Sequence, residues 1–277
     1  MTDAPSDTAK SSLLPLILLL LATVLLLPLD RNVLYLSVTL RIVLGSAAAL
    51  GFLGMLFREP LERRIKYTAL AVPLGILALA PIGTDLGWGN IVALGIPFIA
   101  VLVVPPLILR RPDIITFKLL PDKLDWVDML YTLSAIPLAW GGFALYFGVL
   151  SPEVPFNWTL PPEPDGGELF KLFMGINAVG IWDELFFVNI CFAVLRSLFA
   201  YRTANLAQAV IYTTVLYDMA FTGWGPVFVY TLALTQGAMF ERSRNLLWVL
   251  IVHLIVDYFL FQAIVERYYP ALEVWWH

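Results

Sequence analysis

Two carboxylates, Asp183 and Glu184, stand side by side inside an apolar run that reaches from Leu169 to Leu195. A carboxylate in hydrocarbon costs roughly 2.5–3.5 kcal/mol on insertion scales, so it persists where it has a partner or a task. Further along, His253 and Asp257 are spaced i, i+4 in another apolar stretch and share one helix face. Asn177, Asn189, Asp218 and Gln236 are further polar groups in this half of the chain. At a helical rise of 1.5 Å per residue, Glu184 lies about 18 Å in from Arg196 and Asp257 about 18 Å in from Asn245, with His253 near 12 Å. A glutamate, a histidine and an aspartate therefore reach similar depth.

Such a trio permits a definite chemistry. A glutamate in a water-poor pocket can take a proton from water and return it later. A histidine across the cavity can donate to a developing oxyanion, and an aspartate one turn away can orient water or a leaving group. Peptide hydrolysis needs these roles. His plus carboxylates can also bind zinc. The chain has only two histidines, one of them His277, so a two-histidine zinc site is not expected and no resident cofactor is. Each side chain has a structural reading too, in which buried acids, amides and histidine hydrogen-bond helices together.

The elements that must carry these residues are membrane helices. The 277 residues are 60% hydrophobic and 14% charged, with a mean hydropathy of +0.83. Soluble domains run nearer 45–50% apolar and 25% charged, so the composition is that of a multi-pass, all-α membrane bundle. The formal charge is −4 and no basic tract suits nucleic acid. Cys191 is the only cysteine, which excludes an intramolecular disulfide and a thiolate cluster; it reads as a small buried filler.

A span needs about 20 apolar residues. By that measure nine spans are predicted, near 12–29, 34–57, 67–83, 90–109, 127–150, 169–195, 204–222, 224–240 and 246–265. Pro73, Pro81, Pro97, Pro105 and Pro106 predict irregularities in the third and fourth. No signal-peptide cleavage pattern is evident, so the first helix is read as a retained span after a tail of residues 1–11. The loops after spans two, four, six and eight carry the Lys and Arg, from Arg58 and Arg110 to Arg196 and Arg244, while the alternate loops are nearly bare. That alternation predicts an inner or plasma membrane location with a cytoplasmic N-terminus. Arg41, inside span two, is expected to snorkel to headgroups. Residues 110–128 read as an interfacial amphipathic segment and the proline-rich stretch 151–168 as an outer tether. Trp88, Trp158, Trp224, Trp275 and Trp276 suit interfacial belts. The natural division is spans one to five, residues 12–150, and a polar-bearing core over residues 169–266.

That core resembles the CAAX-processing and bacteriocin-immunity family (CPBP, or Abi) of intramembrane proteases, whose pattern is EExxxR, FxxxH and HxxxN or HxxxD on separate helices. The first motif maps to Asp183-Glu184-Leu185-Phe186-Phe187-Val188 and the third to His253-Leu254-Ile255-Val256-Asp257. Asp183 replaces the first glutamate, Val188 stands where arginine is usual, and Asn189 where a glycine often follows. The second motif falls on Tyr217-Asp218-Met219-Ala220-Phe221, with Phe221 in place of the histidine. The resemblance implies a C-terminal four-helix CPBP-like core in which Glu184 activates water and His253 with Asp257 assists. Asp183 braces the site, and Asp218 and Asn189 are accessory candidates.

Three functions follow as expectations. The first is a glutamate-dependent intramembrane endopeptidase acting on a membrane-embedded or lipidated protein. The second is an inactive relative that binds a membrane protein partner, motivated by the missing arginine and histidine. The third is a proton-coupled carrier, since buried acids also mark proton relays; the chain lacks the mirrored halves that transporters often show.

Overall fold

In the computed structural model, residues 12–27, 36–80, 87–111, 113–150, 160–161, 165–219 and 223–272 are described. Among them the chain is helical, with no strand. The helices are α1 (Leu13–Leu26), α2 (Val38–Leu56), α3 (Leu61–Leu79), α4 (Trp88–Leu109), α5 (Trp126–Leu150), α6 (Gly166–Arg196), α7 (Tyr201–Met219), α8 (Gly225–Ser243) and α9 (Leu247–Tyr268). They follow the nine apolar stretches of the sequence. Five of them, α2, α4, α5, α6 and α9, are long and apolar enough to cross a membrane. The chain is a multi-pass helical membrane protein. α1 is apolar but has only 14 residues, and α3, α7 and α8 carry more polar groups.

Local signals set the starts. Ser12, Ser37, Asp125 and Asp165 cap α1, α2, α5 and α6 by accepting a backbone N–H with their side chains. α4 and α8 end where Arg110 and Arg244 turn left-handed, at φ 51° and 54°. α3 begins six residues before the predicted span and runs through Pro73; α4 runs through Pro97, Pro105 and Pro106. Pro81 lies outside the described residues.

Burial picks out the centre. The apolar window of α6 is 72% buried, against 22% for α2, 17% for α4 and 22% for α5, whose remaining faces suit lipid. α6 is therefore the axis. α1 pairs with α2, α3 with α4 and α7 with α8, while α5 and α6 both pack on α9. From Glu184 to Phe192 α6 is a π-helix, bonded i to i+5. A π-turn holds about 4.4 residues, so Asn189 comes round toward the Glu184 side instead of sitting roughly 140° away as in an α-helix.

The basic loops gather at one end. Lys66 Nζ donates to Ser197 O at 3.3 Å, and Arg196 makes a two-pronged pair with Glu241 at 2.9 and 3.0 Å. Arg242 joins the end of α8 to the start of α5, reaching Asp125 at 2.6 Å and the buried Asp128 at 3.2 Å. Leu246 and Leu247 at the start of α9 donate to the carbonyls of Lys118 and Leu119. Residues 113–124 are turns, bends and irregular chain, with Phe117, Leu120 and Leu124 exposed and Ile115 tucked in. Their carbonyls meet the first N–H groups of α9, which fixes the segment without helical repeat.

Arg41 differs from expectation: it is fully buried. The guanidinium is enclosed by protein instead of reaching headgroups. Cys191 is buried, Trp88 and Trp224 are exposed, and Trp158, Trp275 and Trp276 lie outside the described residues, as does most of the 151–168 stretch.

Candidate active site

Glu184 sits at the first residue of the π-segment, with no solvent exposure. One carboxylate oxygen, Oε1, is the hub. His253 Nδ1 lies 2.6 Å from it, a distance that places a proton between them. Gln236 Nε2 donates to it at 3.0 Å and the Tyr212 hydroxyl at 3.4 Å. Four helices, α6, α7, α8 and α9, thus meet on one oxygen. The other oxygen, Oε2, is buried and has no partner among the described residues.

Each of these contacts is itself positioned. Tyr212 stacks on Phe187 at 4.3 Å between ring centres and lies 3.1 Å from His253 Nδ1. Gln236 also donates to Val249 O at 2.8 Å and accepts from Tyr131 of α5 at 3.1 Å, so its amide cannot turn. Trp182 donates to Phe98 O of α4 at 2.9 Å and stacks on the Phe98 ring at 3.9 Å, which anchors α6 just before the acid pair. His253 turns its other nitrogen, Nε2, toward Asp257 Oδ1 at 3.5 Å and Asp183 Oδ2 at 3.8 Å. Gly180 makes this approach possible: a Cβ there would overlap the Asp257 carboxylate and come within 2.7 Å of His253 Cδ2.

A cavity of about 800 Å³ adjoins the cluster. Its walls come from α4 to α9, with Leu216 the contribution of α7, and are mainly apolar, with Phe98, Leu138, Tyr146 and Phe228 among them. Asp183, His253 and Asp257 are on its wall; Glu184 stands behind them. The volume falls in the range of small-molecule sites, and the few convergent polar groups are of the kind that orient a ligand. Outside the bundle, the Asp125 carboxyl is held below the ordinary aspartate range, chiefly by the Val127 N–H and then by Arg242.

The structure brings Glu184, His253, Asp257 and Asp183 together. Of the accessory candidates, Asn189 is buried with neither amide atom partnered and makes no contact to the Glu184 hub. Asp218 lies in the last turn of α7, but its side chain, like all of Phe221, falls outside the described residues. Among the described residues of α7, Tyr212, nine positions before Phe221, is the one that meets Glu184 and His253. Sequence reasoning passed over Tyr212 because a lone tyrosine in a membrane helix has many ordinary uses. Its signal was the spacing of Asn205, Gln208 and Tyr212 at i, i+3 and i+7, one polar stripe on an otherwise apolar helix. Among the described residues, no group of three His, Cys, Asp or Glu side chains is arranged to hold a metal ion.

Residues 165–259 match the family model described as Rce1-like, type II CAAX prenyl endopeptidase Rce1-like. Over that stretch, about a third of the chain, the protein is similar to the Rce1-like family. The matched stretch runs from the cap of α6 into α9 and contains Asp183, Glu184, Tyr212, Gln236, His253 and Asp257. The family is one of proteases, in keeping with the resemblance read from the motifs. No curated protein and no solved structure matches the chain. Tyr131, Phe98 and the α4 and α5 walls of the cavity lie outside the matched stretch.

Proposed function

We propose that this chain is an intramembrane endopeptidase of the CAAX-processing type, acting on a membrane-embedded or lipidated protein with water activated by Glu184. The observation that carries the reading is the division of labour on one carboxylate: Oε1 is held by His253, Gln236 and Tyr212, and Oε2 is unengaged. A base must be held still and keep one lone pair for its substrate. In the proposed reaction Glu184 Oε2 takes a proton from water as the water oxygen bonds to the peptide carbonyl carbon. His253, on the cavity wall, donates toward the developing oxyanion, with Asp257 and Asp183 orienting its far nitrogen. Collapse breaks the C–N bond, and the proton held by Glu184 passes to the leaving amine. The apolar cavity beside His253 suits a prenyl or other lipid chain, or an apolar helix end. The basic end of the bundle faces the cytoplasm, and the chain sits in the inner or plasma membrane.

The second reading is an inactive relative that holds a membrane protein partner. It is favoured by Val188, which is fully buried where the family pattern has arginine. Comparing N- and C-terminal peptides of the membrane proteome decides between them, in a deletion strain carrying the native gene or Glu184→Gln. A processed terminus present only with the native gene supports the peptidase. Identical termini at equal protein level turn the reading to the partner-binding relative.

A further inference from the structure

Glu184 Oε2 is buried, and Glu184 does not reach the wall of the apolar cavity. Water needs another way to it. Between Glu184 and the basic end lies a second group of buried polar side chains. Gln208, one turn before Tyr212 on α7, is fully buried, and neither its amide oxygen nor its nitrogen has a partner. Asn189 of the π-segment is likewise fully buried with both amide atoms unpaired. Asn205, a turn nearer the basic end, donates to Leu234 O at 2.9 Å and to the Tyr201 hydroxyl at 3.3 Å, while its oxygen is unpaired. Gly237 of α8 lets both amides approach its backbone: a Cβ there would overlap Asn205 Oδ1 and lie 3.3 Å from Gln208 Oε1. Helix-packed amides with no partner are costly in a dry interior, about 1–3 kcal/mol for each orphaned group. Buried waters satisfy such groups when each finds two to four polar partners, and Asn205 Oδ1 and Gln208 Oε1 converge on the same spot of α8.

We infer that Asn205, Gln208 and Asn189 line a hydrated seam between α6, α7 and α8. The seam leads from the basic end of the bundle to Glu184 and supplies the water of hydrolysis separately from the apolar cavity. On α7 the stripe Asn205–Gln208–Tyr212 climbs about 10 Å, close to two helical turns. At its top Tyr212 touches Glu184 Oε1, so Gln208 stands one helical turn from the residue that meets the carboxylate. The seam's catalytic purpose rests on the peptidase reading; its hydration does not.

Two measurements on the full-length protein in proteoliposomes test it. Asn205→Cys, Gln208→Cys and Asn189→Cys are treated with the small water-borne thiol reagent methanethiosulfonate ethylammonium, beside Ile211→Cys on the buried face of the same helix and the native chain with Cys191. The seam variants are expected to react several times faster than both controls, and from the basic end only. Reaction no faster than at Ile211→Cys in folded Gln208→Cys and Asn189→Cys protein overturns the seam, whether or not the chain proves to be a protease. Gln208→Leu is then expected to lower kcat about tenfold with KM unchanged, through loss of bound water, and Gln208→Asn to restore part of it. A labelled seam with kcat unaffected by Gln208→Leu overturns its role in hydrolysis.

Discussion

At the scale of single residues, adjacency and spacing pointed to the acids and the histidine. Asp183 and Glu184 are conspicuous because hydrocarbon selects against them, and His253 and Asp257 because i, i+4 fixes a common face. Tyr212 was not legible in the same way, since a hydroxyl on a ring is at home in any membrane helix. Only the three-dimensional meeting of α6, α7 and α9 shows that it touches both Glu184 and His253. In the proposed reaction it acts through Glu184 as a positioning residue. Tyr212→Phe keeps the stack on Phe187 and removes the hydroxyl, so the expected result is a fold within about 1 kcal/mol of native stability. In a peptide-cleavage assay kcat should fall roughly tenfold or more while KM holds. A change in KM alone would mean that the ring shapes the substrate pocket instead. Gly180 is the complementary case. Gly180→Ala pushes a methyl into the Asp257 carboxylate, and overpacking of this kind costs about 1–3 kcal/mol. Thermal unfolding in detergent should register that loss together with a drop in cleavage, because α9 must move away from α6.

At the scale of elements, the π-segment and the basic-end clamp are what place the side chains. Nothing in Glu184–Phe192 announces a π-helix; its residues are ordinary helix and core formers, and the bonding pattern follows from packing on four neighbours. This explains why depth counted at α-helical rise brought Glu184 and Asp257 together correctly but left Asn189 unplaced. The clamp is local and legible only afterwards. Arg242 ties α5 to α8 through Asp125 and Asp128, and α5 carries Tyr131, which fixes Gln236. Arg242→Ala leaves the buried Asp128 carboxylate without that partner, an expected loss of about 1–3 kcal/mol measured by chemical or thermal unfolding. Activity should fall through Gln236, and more steeply than for Arg244→Ala, whose side chain is largely exposed. The Asp125 part of the clamp has a definite pH sense. Its carboxyl is held low, so its contribution is complete above the ordinary aspartate range and fades as pH falls through the lowered value. Raising the pH from neutral should leave it unchanged.

At the scale of the whole molecule, the nine apolar stretches and the alternation of basic loops were readable because a bilayer imposes length and charge rules with few exceptions. The structure adds that the basic loops are bonded to one another at one end, through Lys66–Ser197, Arg196–Glu241 and Arg242–Asp125. Single cysteines placed beside Arg58, Lys118 and Arg202 should therefore be labelled from the cytoplasmic side by a membrane-impermeant maleimide, and one beside Trp224 from the opposite side. Labelling of the Lys118 position from the outside would reverse the topology. Arg41 shows where the rules thin out: a charge near a helix end reads as snorkelling, yet here it is fully buried in protein. The apolar cavity could not be read from sequence at all, since its apolar walls are assembled from six helices. Its size and its contact with His253 and Asp257 fit a substrate that approaches from the membrane, while the acid behind the wall awaits water. The most direct test of that arrangement is cleavage of a farnesylated CAAX peptide by purified protein and by Glu184→Gln in proteoliposomes. Cleavage by the native protein, and a loss of at least about 10²-fold in the variant at matched fold and melting temperature, is the expected result. Equal cleavage by Glu184→Gln would contradict the assignment of Glu184 as the base.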